Sequence, residues 1–268
     1  MTTLCELLGD IIGEIDAVFL FSPTASEYED TSELEVPVVV VGTANDHEAD
    51  RFVEVPLDFE DVRDQIRFAL EGAADQELVE SGDEIAAILE LFEDGRDMVA
   101  RVRVEDVSHQ LYDLFTSSRA NADVVRDTFD VAIDLGKKGQ KGKPVGALFV
   151  VGDAGNVMSK SRPLSYNPFE KSHVHVGDPI VNVMLKEFSR LDGAFVISDS
   201  GKIVSAYRYL EPAAEGVDIP KGLGARHMAA GAITRDTGAV AIVLSESDGM
   251  VRAFKGGKII LELDPEEY

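Results

Sequence analysis

The sequence predicts an α/β protein in two parts: a small acidic α/β domain over residues 1–107, then a mixed β-sheet surrounded by helices over 108–268. Three observations predict this. Short apolar runs of strand length, bounded by polar or turn-prone residues, recur through both halves, and stretches with helical apolar spacing separate them. Charge divides the chain: residues 1–120 hold 30 Asp or Glu against 7 Arg and no Lys, a net of −23, whereas residues 121–268 hold 20 acids and 18 bases, a net of −2. A chain of 268 residues is long enough for two cores.

In chain order, Ala17 to Phe21 and Val38 to Gly42 read as buried strands and Phe52 to Pro56 as a third. Asp61 to Glu71 places Val62, Ile66 and Phe68 to Leu70 near helical spacing. Asp83 to Phe92 does the same with Ile85, Ile88, Leu89 and Phe92, so it is expected to be a helix. Met98 to Val104 returns to a strand pattern. Strands alternating with helices imply a largely parallel sheet. A helix from about Val107 to Leu135 is expected to join the halves, carrying Leu111, Leu114, Phe115, Val124, Val125, Phe129 and Ile133.

Gly136 to Gly146 concentrates four Lys and four Gly, but its spacing does not fit a phosphate-binding Gly-x4-Gly-Lys-Ser/Thr loop and reads as a basic turn before a strand. Beyond it, Ala147 to Val151 is a buried strand. Ala194 to Ile197 and Ile203 to Tyr207 form a hairpin across Asp199-Ser200-Gly201-Lys202, and Met228 to Ile233 is a short helix stopping by Gly238. Val240 to Leu244 is a strand, and Met250 to Phe254 with Ile259 to Leu263 forms a second hairpin.

The charge balance limits function. Such acidity with so little Lys points to concentrated salt, where carboxylates hardly repel one another, and the less acidic second half suits a site for polyphosphates. Nucleic acid is a poor partner for this surface. A lone Cys5 forms no internal disulfide, the N-terminal residues are acidic where a signal peptide is basic, and no apolar run reaches membrane-spanning length. The expectation is a cytoplasmic protein with no membrane partner. His47 among Asp46, Glu48 and Asp50 reads as a solvated acidic loop and not a metal site. His173 and His175 could share a metal from one strand face, but the adjoining Gly177-Asp178-Pro179 favours a structural turn into a helix carrying Val183, Leu185 and Phe188. Asn167-Pro168-Phe169 carries no assignable chemistry.

Three signals in the second half form one candidate nucleotide site. Asp192-Gly193-Ala194 supplies a carboxylate for a metal beside a residue without a side chain. Gly222-Leu223-Gly224-Ala225-Arg226-His227 precedes the Ala-rich helix, placing cationic or hydrogen-bonding groups where helix amides favour anions. Ser245-Glu246 closes a strand. Each alone also reads as a turn or a surface ion pair, but their order and spacing resemble the diadenylate cyclase family, over roughly residues 108 to 268. Lys143-Pro144-Val145-Gly146-Ala147-Leu148-Phe149 is similar to that family's entry to its first core strand.

The resemblance is to archaeal two-domain members, here with a halophile's composition. It implies a nucleotidyltransferase that condenses two ATP into the second messenger cyclic di-AMP and two pyrophosphates, with Mn2+ or Mg2+, in facing dimers or higher homo-oligomers. It assigns Asp192 to the metal and the attacking hydroxyl, Gly193 and Ala194 to close contact with the nucleotide, and Leu210 to the adenine or ribose side. Arg226 and His227, catalytic with Asp192, would hold the phosphates, Gly224, Ala225, Met228 and Ala229 would be further nucleotide contacts, and Ser245 and Glu246 would complete the pocket near the metal or ribose. Where the family commonly has Gly-Thr-Arg-His-Arg, this chain has Gly224-Ala225-Arg226-His227-Met228, losing a hydroxyl and a positive charge. Two other readings stay open: a catalytically silent sensor of ATP or a cyclic dinucleotide, and a scaffold whose acidic first domain recruits a partner.

Overall fold

The computed structural model describes residues 8–57, 59, 61–90, 96, 98–104, 110–116, 118–139, 145–179, 181, 184, 192–211, 220 and 222–266. The chain divides into two compact units, Met1–Tyr112 and Asp113–Tyr268.

The first unit is built on a five-stranded sheet of β1 (Ala17–Phe21), β2 (Val38–Gly42), β3 (Phe52–Glu54), β4 (Glu84–Leu89) and β5 (Met98–Arg103), ordered β3-β2-β1-β4-β5. β1 to β4 are parallel, as expected, and β5 runs antiparallel against β4 with Glu84 opposite Arg103. All five residues of β1 are buried, as a parallel strand covered on both faces requires. A helix not expected from the sequence, α1 (Ala25–Asp30), starts on a capping box in which Thr24 and Glu27 satisfy each other's backbone amides. Helix α2 (Val62–Asp75) begins at Asp61, whose carboxylate accepts from the Arg63 amide, and buries Ile66, Phe68, Ala69, Leu70 and Ala73.

The helix expected over Asp83 to Phe92 is instead strand β4, between β1 and β5. Ile85, Ile88 and Leu89 are buried as expected, but so are Ala86 and Ala87, because both faces of a central strand are covered. An apolar run this short satisfies either period, and its length favours the strand. Phe92 lies outside the described residues.

The single joining helix is two, α3 (Gln110–Thr116) and α4 (Ala122–Lys138), parted at Ser118 to Asn121; Val107 lies outside the described residues. Asn121, in extended conformation, is the N-cap residue of α4. Thereafter α4 buries Val124, Val125, Phe129, Ile133 and Leu135 and packs on the sheet of the second unit.

That sheet has seven strands: β6 (Ala147–Val151), β7 (Ser161–Pro163), β8 (Ala194–Ile197), β9 (Ile203–Leu210), β10 (Val240–Leu244), β11 (Val251–Lys255) and β12 (Lys258–Leu263), ordered β12-β11-β10-β6-β8-β9-β7. Of its pairings only β6 with β8 is parallel, so the sheet is mixed as expected. Both expected hairpins form. A six-residue helix, α5 (Ala154–Ser159), and edge strand β7 had no signal strong enough to be expected. Helix α6 (Ala225–Asp236) starts three residues before the expected Met228. Its Ala230 and Ile233 close a core with Leu148, Val150, Val196, Ala241, Val243 and Phe254, alternate residues of the central strands. The helix expected around Val183, Leu185 and Phe188 lies outside the described residues. Among the described residues, no helix is long and apolar enough to cross a membrane.

Candidate active site

The second unit contains a cavity of about 620 Å³ between the ends of β8, β9 and β10 and the start of α6. Its apolar wall includes Leu148, Leu210 and Leu244, and its polar side includes Asp192, Arg226, His227, Ser245 and Glu246. Three segments separated by tens of residues therefore converge on one concavity. Gly193, Ala194, Gly224, Ala225 and Ala229 line it as well. Met228 does not line it, and its side chain is exposed.

The sheet fixes the position of Asp192. Gly193 has φ of 113°, and a Cβ there would lie 2.8 Å from Tyr207 Cα and 2.9 Å from Arg208 N. The glycine is thus required by the close approach of β9, a constraint internal to the fold. It leaves the Asp192 side chain 97% exposed at the strand entry.

Gly224 is the N-cap residue of α6 and offers no side chain to its amides. His227 and Met228 donate back to the Gly224 carbonyl. Ala225 and Arg226 precede the first intrahelical bonds, so their N–H groups face the same problem as every helix start and suit an anion. Arg226 and His227 were expected ahead of the helix and lie within its first turn. The Arg226 guanidinium bridges the two acids of the site, Nη1 at 3.4 Å from Glu246 Oε2 and Nη2 at 4.0 Å from Asp192 Oδ1. It fits because Gly146 is bare: a Cβ at Gly146 would lie 2.7 Å from Arg226 Nη1. Ser245 is buried at the end of β10, its Oγ 3.2 Å from Ser247 Oγ.

His227 is also buried, its ring edge-on to Phe254. Burial, helped by the nearby positive charge of Arg252, lowers its pKa below the ordinary histidine value. Arg252 is held by Asp248 at 2.8 Å and Glu262 at 2.7 Å. Its hydrogen bonds in turn hold the Asp248 carboxyl well below the usual carboxylate range.

Among the charged residues that line the cavity, Arg208 is the one that sequence reasoning missed. It is only 8% exposed, and it donates to the Met158 and Ser161 carbonyls and to Ser161 Oγ. Among the described residues no carboxylate pairs with it, so a buried cation looks onto the cavity with only neutral partners. The available signal was its register: it lies two residues before Leu210 on a strand, and so on the same face.

Outside the cavity, His47 and His175 have structural settings. His47 stacks on Tyr28 and bonds the Pro23 carbonyl through Nε2. His175 pairs with Lys202 in an isolated bridge, and its amide donates to Asp178. Asn167 ties Phe169, Val204 and Ala206 together through their backbones. No cluster of three or more His, Cys, Asp or Glu suited to a metal occurs among the described residues.

Residues 1–123 match the family model described as diadenylate cyclase, N-terminal, and residues 135–259 match the DisA bacterial checkpoint controller nucleotide-binding model. A diadenylate cyclase from Haloferax volcanii is 69% identical over 269 residues, covering 100% of both chains. The chain belongs to the diadenylate cyclase family. It is therefore a nucleotidyltransferase with a nucleotide-binding second domain, of the archaeal two-domain type expected from the sequence. A diadenylate cyclase from Methanocaldococcus jannaschii is 45% identical over 169 residues, covering 63% of this chain and 54% of the relative. One from Listeria monocytogenes is 34% identical over 88 residues, 33% of this chain and 32% of that one.

The departures from the family pattern at Ala225 and Met228 fall in the first turn of α6. Ala225 is the first residue of α6, where the backbone amide remains for an anion whatever the side chain. Met228 stands outside the cavity wall, so the charge absent there is absent from the surface.

Proposed function

We propose that each chain binds one ATP in this cavity and that two chains, with nucleotides opposed, join them into cyclic di-AMP and two pyrophosphates. The observation that carries the reading is the convergence of Asp192, the first turn of α6 and Ser245-Glu246 on one cavity of nucleotide size. In each half-reaction the ribose 3′-oxygen of one nucleotide attacks the α-phosphorus of the other, the bond to the bridging oxygen breaks, and pyrophosphate leaves. The hydroxyl proton passes to Asp192, whose exposed carboxylate is free to reach across to the opposing nucleotide. Leu148, Leu210 and Leu244 offer the apolar surface suited to adenine, with Gly193 and Ala194 beside it. The amides of Ala225 and Arg226, together with the side chains of Arg226 and Arg208, would hold the phosphates. Catalysis is then mostly positioning and charge stabilisation.

The donor set fits a hard divalent cation held jointly by one or two carboxylates and substrate phosphates, and not an all-protein cage. Asp192 and Glu246 are the residues to hold it, once Arg226 exchanges them for phosphate. Bound there, Mn2+ or Mg2+ would neutralise phosphate charge and lower the pKa of the attacking hydroxyl. Ser245 would orient Glu246 or the ribose. We place the protein in the cytoplasm, with ATP and its own copies as partners and neither nucleic acid nor membrane.

Purified protein incubated with ATP and Mn2+ should yield cyclic di-AMP on chromatography. Bound but unchanged ATP would favour the sensor, and no binding the scaffold. Because a single ATP cannot close the two-nucleotide ring, product formation should rise more steeply than linearly with enzyme concentration below the dimer dissociation constant. Linear activity where sedimentation shows only monomer would reject the facing pair.

A further inference from the structure

Arg252 lies on β11 beneath the first turn of α6, and its Nη1 is 3.4 Å from Nε2 of His227. Both residues are buried, at 7% and 4% exposure. A guanidinium can only donate hydrogen bonds, so the contact requires Nε2 to accept. An imidazole accepting at Nε2 carries its proton at Nδ1, and a doubly protonated ring would set N–H against N–H. Nδ1 has no protein partner among the described residues, and His227 lines the cavity. We propose that Arg252 is a positioning residue that holds His227 in the neutral Nδ1–H form, making the ring a hydrogen-bond donor to a nucleotide phosphate and not a cation.

The charged groups around the ring agree with this. Arg252 and Arg226 oppose its protonation, Asp248 and Glu262 favour it, and burial decides for the neutral form. Asp248 and Glu262 are themselves engaged with Arg252, which limits their pull on the ring. The four residues thus act as one device: two acids from the β10–β11 turn and β12 hold an arginine, and the arginine selects a tautomer. The sequence reading allowed His227 either a cationic or a hydrogen-bonding role; this geometry selects the second. The ligand half of the inference rests on the cavity being the ATP site.

The test uses the full chain with ¹⁵N-labelled histidine, the His227 signals assigned by their loss in His227→Gln. Between pH 6 and 8, without ligand, wild-type His227 should show the neutral Nδ1–H pattern throughout. Arg252→Met should convert the ring to a mixture of tautomers that titrates within this window, and Arg252→Lys, which can also only donate, should restore the wild-type pattern. The Met variant should fold, because Asp248 and Glu262 are 41% and 49% exposed at the side chain and are left facing water. A wild-type ring that is Nε2–H or protonated at pH 7, or a ring unchanged in Arg252→Met, would overturn the proposal.

Binding of 3′-deoxy-ATP, which cannot be cyclised, supplies the second readout. Arg252→Met should weaken it about tenfold at pH 8, the order of one hydrogen bond, and the gap to wild type should narrow towards pH 6 as the freed ring becomes a cation. A gap constant with pH would mark a merely structural role and overturn the inference. No binding by the wild type would instead overturn the nucleotide reading and remove the donor's ligand, a failure separable from that of the spectra.

Discussion

The two units solve the same packing problem, helices on a sheet, with opposite electrostatics. The first, Met1–Tyr112, holds 29 acids against 6 Arg; the second, Asp113–Tyr268, holds 21 acids against 19 bases. In the first, most arginines with a described partner pair with surface carboxylates, as Arg101 and Arg103 do with Glu84. In the second, Arg226 and Arg208 line one cavity and Arg252 contacts its His227, and Arg208 has no acid at all among the described residues. The difference teaches that part of the second unit's charge relief serves its cavity, which Arg208 and Arg226, two of its 19 bases, line. A field like that of the first unit would repel a polyanion from such a site.

The strongest way to break this comparison is at Asp192. Asp192→Asn keeps the shape and removes the charge, so cyclic di-AMP formation should fall by at least about a hundredfold, the scale of losing a group that acts on developing charge. The thermal midpoint should not move, because the side chain is 97% exposed. Near-normal turnover by the folded variant, measured by chromatography of the product, would remove Asp192 from the mechanism.

Next in size is Arg208. Arg208→Met keeps the apolar stem and deletes the cation, and ATP affinity should drop roughly tenfold to a hundredfold, as for a charged hydrogen bond lost in a desolvated setting. Stability should change little, since removal of a buried unpaired charge is offset by the loss of the donor to the Met158 and Ser161 carbonyls. Unchanged affinity by calorimetry would show that Arg208 serves only the Met158 and Ser161 carbonyls.

These residues also mark how far the sequence could be read. Asp192, Arg226, His227, Ser245 and Glu246 were legible because each sits in a short motif, and motifs survive without knowledge of tertiary contacts. Arg208 and Arg252 were not, because their meaning lies in what surrounds them: a strand register for the first, and for the second Glu262, across a hairpin. Fold reading failed for the same physical reason. Glu84 to Leu89 fits a helix or a strand until its neighbours β1 and β5 pair with its two edges. The break before α4 was hidden because apolar spacing continues across it, although Asn121 is an ordinary N-cap signal.

A smaller effect sharpens the charge comparison itself. Produced separately, residues 1–107 should lose stability as salt is lowered, since a net charge of −23 repels itself more when unscreened. Residues 108–268 should fold, bind ATP and respond much less. Equal salt slopes for the two fragments in chemical denaturation would mean that net charge does not distinguish the units, and a second fragment soluble only with the first attached would move the domain boundary.

The smallest expected effect is a pH dependence that belongs to the second unit alone. His227 has its pKa lowered in the folded protein, first by burial and then by Arg252. As pH falls through the ordinary histidine value of about 6.5, the unfolded chain takes up a proton that the folded chain still refuses, and stability depends on which state binds more protons. Acid therefore favours unfolding, and the loss continues until pH reaches the lowered folded value. Asp248 acts in the same direction at lower pH: its folded pKa is depressed, so its contribution is complete above the ordinary aspartate range and is lost only as pH falls through it. The two are separable by window. Between pH 7.5 and 5.5 the melting temperature of wild type should fall relative to that of His227→Gln, which has no proton to refuse, whereas both should share the later loss due to Asp248. Parallel curves for the two proteins through pH 6.5 would show that the ring titrates normally, and the electrostatic pressure assigned to Arg252 would have to be withdrawn.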